Sequence, residues 1–150
     1  MKKKNKTIII AEAGVNHNGN INLALKLVDI AAKSKADYIK FQTYSSEDLV
    51  QKRVGLAKYQ KKNLKKISSQ YKLLKKFELS ESDHLRIVRR CKKRKIKFLS
   101  SPFDFKSVNL LKKLNLNLIK IPSGEITNIP YLKQIGSLKK NVILSTGMSA

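Results

Sequence analysis

A chain of 150 residues with 41% hydrophobic side chains is long enough for one ordinary domain with its own core. Its single cysteine, Cys91, excludes a disulfide framework and suits a reducing, cytoplasmic setting, and the apolar run Ile8–Ala11 is too short for a signal peptide or a membrane span. The net charge of +23 raises a nucleic-acid reading, but 28 of the 33 cations are Lys and no stacking aromatics are interleaved with them, so a lysine-biased surface is expected and a polyanion-binding face is the alternative.

Thr7–Ala13 is a β-branched strand, with Ile8, Ile10 and Glu12 on one side. An Asn- and Gly-rich loop, Gly14–Gly19, leads to a helix over Asn22–Lys35, with Asn20 or Asn18 as its cap and Leu23, Leu27, Ile30 and Ala31 at helical spacing. Ala36–Gln42 is a second strand that places Tyr38, Lys40 and Gln42 on one face. The region Glu47–Lys76 is Lys-rich and reads as a long insertion with helix at Tyr59–Lys66 and Ser69–Lys76. Ser80–Lys95 is a helix with Ser80 as N-cap, Asp83 completing a shortened capping box, and Leu85, Val88 and Cys91 as its apolar stripe. Ile96–Ser100, Leu118–Ile121 and Asn141–Ser145 are further strands, separated by helices over Lys106–Leu114 and Asn128–Leu138. Pro130 falls in the first turn of the latter helix.

Strands alternating with helices imply parallel βα units in an α/β protein. A doubly wound sheet and a (β/α)8 TIM barrel both fit. GxGxxG and GxxxxGK[ST] are absent, which weakens a Rossmann or P-loop assignment. Polar residues gather at the C-terminal end of every strand: Glu12, Lys40 with Gln42, Ser100 with Ser101, Lys120 with Ser123 and Glu125, and Ser145 with Thr146. Barrel enzymes build their sites there, and five such units occupy only part of a barrel. The chain is therefore expected to be the N-terminal part of a larger TIM-barrel domain.

The stretch Leu118–Glu125, LIKIPSGE, concentrates this chemistry. A buried strand rarely carries Lys without a partner. Lysines on strands two and four, with hydroxyls beside them, suit a phosphate-plus-carboxylate ligand; a Schiff-base role for either lysine is the alternative. Glu12 and Glu125 are placed to orient a hydroxylated ligand or to act as acid or base, against structural ion pairs with Lys40 and Lys120. His17, alone in the first loop, reads as a hydrogen-bonding residue, and His84 is expected on an exposed helix turn. No metal-ligating set lies within the chain.

The segments IIIAEAGVNHNG, ADYIKFQT, FLSSPFD, IKIPSGEITNIPYL and VILSTGM, in that order, resemble the N-acetylneuraminate (sialic acid) synthase family. The opening segment and the middle region resemble the branch with N,N'-diacetyllegionaminate synthases, and the Ser-Gly-Glu turn differs from the pseudaminic acid branch. The resemblance implies a (β/α)8 barrel followed by a small antifreeze-like domain. It also implies a transferase of carbohydrate biosynthesis that condenses phosphoenolpyruvate with an open-chain N-acetylmannosamine-type sugar to a nonulosonic acid and phosphate. By the same resemblance, Glu12 holds the sugar hydroxyls, Lys40 and Lys120 bind phosphoenolpyruvate, and Ser123 and Ser145 are its hydroxyl partners. Ser101 stands where many relatives have Thr, Gln42 lines the same pocket, and Glu125 is the catalytic acid/base. The family's divalent metal, Mn2+ or Mg2+, is held by histidines expected beyond residue 150. A homodimer is implied for the full-length protein, with no membrane or nucleic-acid partner. Competing readings are another phosphoenolpyruvate-aldose condensing synthase, an inactive fragment and a basic polyanion-binding module. The 150 residues alone are expected to be inactive.

Overall fold

The computed structural model describes residues 7–51, 69–147 and 149. Five strands run through them in chain order: β1 (Ile10–Gly14), β2 (Tyr38–Thr43), β3 (Lys97–Pro102), β4 (Leu118–Ile121) and β5 (Asn141–Leu144). The helices are α1 (Ile21–Lys33), α2 (Ser46–Leu49), α3 (Gln70–Phe77), α4 (Glu81–Arg94), α5 (Phe105–Lys113) and α6 (Ile129–Ser137). The helix expected over Tyr59–Lys66 lies outside the described residues. The short α2 falls in a stretch the sequence left unassigned.

Every ladder is parallel: β1 with β2, β2 with β3, and β4 with β5. The sheet order is β1-β2-β3 and, separately, β4-β5, with β4 beside β3. Neighbours in space are thus neighbours in sequence. Successive side chains of β2 alternate between partly exposed and buried. Tyr38, Lys40 and Gln42 therefore share one face, while Ile39, Phe41 and Thr43 face the helices.

The core lies between the sheet and the helices. Ile39, Phe41, Phe98, Ile119 and Ile121 pack against Ala24, Val28, Ile87, Cys91, Val108, Leu111, Tyr131 and Ile135. This corrects two expected stripes. In α1 the buried residues are Ala24, Val28 and Ala31, whereas Leu23 and Ile30 are exposed. In α4 they are His84, Ile87 and Cys91, and Leu85 is exposed. In both cases the spacing of three and four residues is kept and the buried face is rotated about the helix axis.

Caps set the helix starts. Asn20 Oδ1 accepts from the N–H groups of Asn22 (2.8 Å) and Leu23 (3.2 Å). In α4 the capping box is complete: Ser80 Oγ accepts from Asp83 N–H and Asp83 Oδ2 accepts from Ser80 N–H. Asp29 on α1 accepts from Arg90 and Arg94 on α4, and the two guanidiniums hold its carboxyl at about 2.

His84 is a further correction, since it is 1% exposed. Its Nδ1–H donates to Ser80 O at 2.9 Å, which leaves Nε2 to accept from the Thr43 hydroxyl at 2.9 Å. Thr43 Oγ1 also lies 2.6 Å from Ser100 Oγ. Burial lowers the pKa of His84, and burial followed by the charge of His84 lowers that of the equally buried His17. Both are then neutral in the folded chain, while an unfolded His titrates near 6.5. The unfolded state binds more protons below that pH, so stability is full above about 6.5 and is lost as pH falls through the depressed folded values. The slope is up to about 1.4 kcal/mol per pH unit for each histidine. We expect the urea midpoint to fall between pH 7 and 5.5, before carboxylates titrate; a flat midpoint over that range contradicts it.

Candidate active site

The sheet face turned away from the helices carries the polar strand ends. The registers pair Glu12 with Lys40, Lys40 with Leu99, Gln42 with Ser101, and Lys120 with Ile143. Paired residues of parallel strands point to the same side, so Glu12, Lys40, Gln42 and Ser101 share this face, and Lys120 on β4 lies near enough to feel the charge of Lys40. Ser100, expected at the same exit, points the other way into the Thr43–His84 network. A one-residue shift pushes it to the opposite side of the pleat.

Lys40 Nζ stands 2.6 Å from Glu12 Oε2; Lys40 is largely buried, whereas the Glu12 side chain is half exposed. Just past Glu12 the β1–β2 register skips a residue, and Gly14 adopts φ +52°. That bulge, with its left-handed glycine, ends the pairing where β1 leaves the sheet. On the other side, Lys120 Nζ donates to Ser145 Oγ and to Ile121 O, the latter at 2.8 Å. Burial lowers the Lys120 pKa first, the charge of Lys40 lowers it further, and Glu12 opposes both. Two ammonium groups and one carboxylate therefore share one electrostatic neighbourhood. Such a group binds a multiply charged oxyanion by adding acceptors to cations that are already close together.

The remaining candidates lie at the exits of β2, β3 and β4, and Glu125 faces a separate cavity with Asp104, Lys106 and Asn128. Ser123 and Glu125 lie in a single 3-10 turn after β4, and Gly147 of the β5 exit sits over Ser123: a Cβ there would come 3.7 Å from its Oγ. Ser101 is 3% exposed beside Gln42. Gln42 also lines a cavity of about 360 Å³ with Tyr44, Leu49 and Phe103. Glu125 is bonded to Asn128 Nδ2 at 2.7 Å, where the sequence weighed an ion pair with Lys120.

Sequence reasoning missed Asp104, the last residue of FLSSPFD. It caps α5, accepting from Ser107 N–H at 2.7 Å, and its other oxygen accepts from Ser45 N–H at 2.7 Å. One buried carboxylate thus ties the exit loops of β2 and β3 together. An Asp before a helical run signals the cap; its second partner is 59 positions away and leaves no local trace.

Among the described residues no group of three or more His, Cys, Asp or Glu side chains could hold a metal ion. His17 and His84 lie buried around Phe41 and Phe98, away from the lysines. The residues present do not fit the family's metal. Among the described residues no helix is long and apolar enough to cross a membrane.

Parallel βα units with cations, hydroxyls and carboxylates at their strand exits define a parallel α/β protein. The chain belongs to the NeuB family, whose model matches residues 27–150. It is 51% identical over 144 residues to the N,N'-diacetyllegionaminic acid synthase of Campylobacter jejuni, covering 96% of this chain and 43% of that protein. It is 50% identical to the N,N'-diacetyllegionaminic acid synthase of Legionella pneumophila, covering 93% of this chain and 39% of that protein. The crystal structure of an N-acetylneuraminic acid (sialic acid) synthetase from Leptospira borgpetersenii superposes with a TM-score of 0.81 at 38% identity, over 97% of this chain and 46% of that one. The chain thus spans less than half the length of these relatives.

Proposed function

We propose that the chain supplies the first five βα units of a (β/α)8 barrel synthase. The consecutive strand order β1-β2-β3, then β4-β5, supports the barrel, because a doubly wound sheet reverses its order at a switch point. The length of the relatives supports further barrel units and a second domain outside these residues. In this reading the whole enzyme condenses phosphoenolpyruvate with an open-chain acetamido sugar of the N-acetylmannosamine type. The new bond joins C3 of phosphoenolpyruvate to the sugar aldehyde carbon. Water then adds at C2, and the tetrahedral intermediate expels phosphate.

The single observation that carries this reading is the meeting of Lys40 and Lys120 beside Glu12 and Ser145. Lys120 and Lys40 bind the phosphate and carboxylate of phosphoenolpyruvate, with Ser145, Ser123 and Ser101 donating hydroxyl hydrogens. Glu12, half exposed at the mouth, accepts from sugar hydroxyls, and Gln42 lines the same side. Glu125 serves as the acid/base group that moves a proton at the reacting carbon or its oxygen. A divalent metal, Mn2+ or Mg2+, would be held by residues outside this chain and would supply Lewis acidity there. The working unit is a homodimer.

The test is phosphate release from phosphoenolpyruvate by the whole protein that carries this chain, with Mn2+ supplied. N-acetylmannosamine and 2,4-diacetamido-2,4,6-trideoxymannose are run in parallel. The higher identity to the legionaminic acid synthases leads us to expect release with the second sugar. Release only with a sugar phosphate identifies a different aldose synthase. No release from folded, metal-loaded protein rejects the reading.

A further inference from the structure

Among the described residues, the Glu125 carboxylate is held by the Asn128 side chain. The Asn128 amide donates to Glu125 Oε2 at 2.7 Å, while Asn128 Oδ1 accepts from Tyr131 N–H at 3.2 Å. The Asn128 N–H also donates to the Glu125 carbonyl oxygen at 3.0 Å. One side chain therefore joins a carboxylate to the first turn of α6. That turn is itself anchored. Pro130 presets the backbone there, and Tyr131, 1% exposed, donates its hydroxyl to Pro102 O at 2.7 Å. The chain of contacts runs from the exit of β3 through Tyr131 and Asn128 to Glu125.

Capping alone does not require asparagine. Ser and Asp cap a helix about as well. Of these three, only Asn accepts from the helix with one atom and donates to a carboxylate with another. A glutamate has three side-chain torsions, and this bond selects one arrangement of them. The other charged groups around Glu125 do not compete for it. They line an adjoining cavity of about 460 Å³: Asp48 is paired with Lys106 at 2.9 Å, and Asp104 is engaged by Ser45 and Ser107. Tyr131 lines the same cavity and is committed to Pro102.

The geometry points to Asn128 as a positioning residue that fixes the Glu125 carboxylate for proton transfer. This rests on the proposed role of Glu125 as the acid/base group. Two variants separate holding from capping. Asn128→Ser keeps a capping oxygen and removes the amide donor; Asn128→Asp keeps the shape and sets a second carboxylate against the first. The expected result is a melting temperature close to the parent's, with kcat for phosphate release reduced about tenfold to a hundredfold and KM for phosphoenolpyruvate little changed.

A purely capping role predicts the reverse: a lowered melting temperature in any variant that affects turnover, and no selective loss of kcat over KM. That result overturns the proposal. Glu125→Gln distinguishes the two levels. If Glu125→Gln turns over normally, the acid/base role of Glu125 fails and the proposal falls with it. If Glu125→Gln is impaired while both Asn128 variants turn over normally, only the positioning role fails.

Discussion

Lys120→Met should sharply reduce phosphate release while making the protein harder to unfold. The direct partners of the Lys120 ammonium are a hydroxyl, Ser145 Oγ, and a carbonyl, Ile121 O. Burial and the charge of Lys40 both act against its protonated form. A partly buried cation held mainly by neutral acceptors costs stability, and a methionine of similar length removes that cost. Its use appears only when an anion arrives to neutralise both lysines. Losing a charged contact to a desolvated phosphate costs about 2–5 kcal/mol. At 1.4 kcal/mol per decade, kcat/KM should fall by about 30- to 4,000-fold. Steady-state kinetics and thermal unfolding of the same preparations check both halves. Near-parental activity removes Lys120 from the anion site, and a lowered melting temperature means that the lysine stabilises the fold.

Gly19→Ala should be the most damaging single-methyl change among the described glycines. Gly19 has φ +75°, and a Cβ there would lie 2.0 Å from the carbonyl oxygen of Lys76 at the end of α3. A side chain in the left-handed region costs about 1–2 kcal/mol, and forcing packed backbone apart costs about 1–3 kcal/mol more. Against a total stability of about 5–15 kcal/mol, this shifts a denaturant midpoint strongly. Gly124→Ala is the control, because a Cβ at Gly124 meets nothing within 4 Å. Its unfolding midpoint should match the parent's. Equal midpoints for the two variants would mean that the loop after β1 does not press against α3.

The strand-exit residues were legible because strand geometry has a short period. Once Ala36–Gln42 is read as a strand, Lys40 and Gln42 must share a face, and they do. The capping box at Ser80 is equally local, and both of its bonds form. The helix stripes were less legible. Leu23 and Ile30 satisfy helical spacing but are exposed, because the sheet accepts the narrower side of α1. His84 looked like a surface residue on a charged helix. Its burial depends on Thr43, which arrives from 41 positions away. Ser100 and Ser101 are adjacent and chemically alike, and the pleat alone sends one to the buried network and the other to the face of Gln42.

By itself the sequence determined the βα alternation, the caps of α1 and α4, the family and most of the strand-end groups. These depend on periodicity, on turns of a few residues and on motifs spelled out along the chain. Tertiary structure alone decided which groups act on one another. The Lys40–Glu12 pair, the electrostatic meeting of Lys40 with Lys120, the Asp104 tie and the neutral His84 all join residues far apart in the chain. Their energies depend on distance and on exclusion of water, and both quantities exist only once the strands lie side by side.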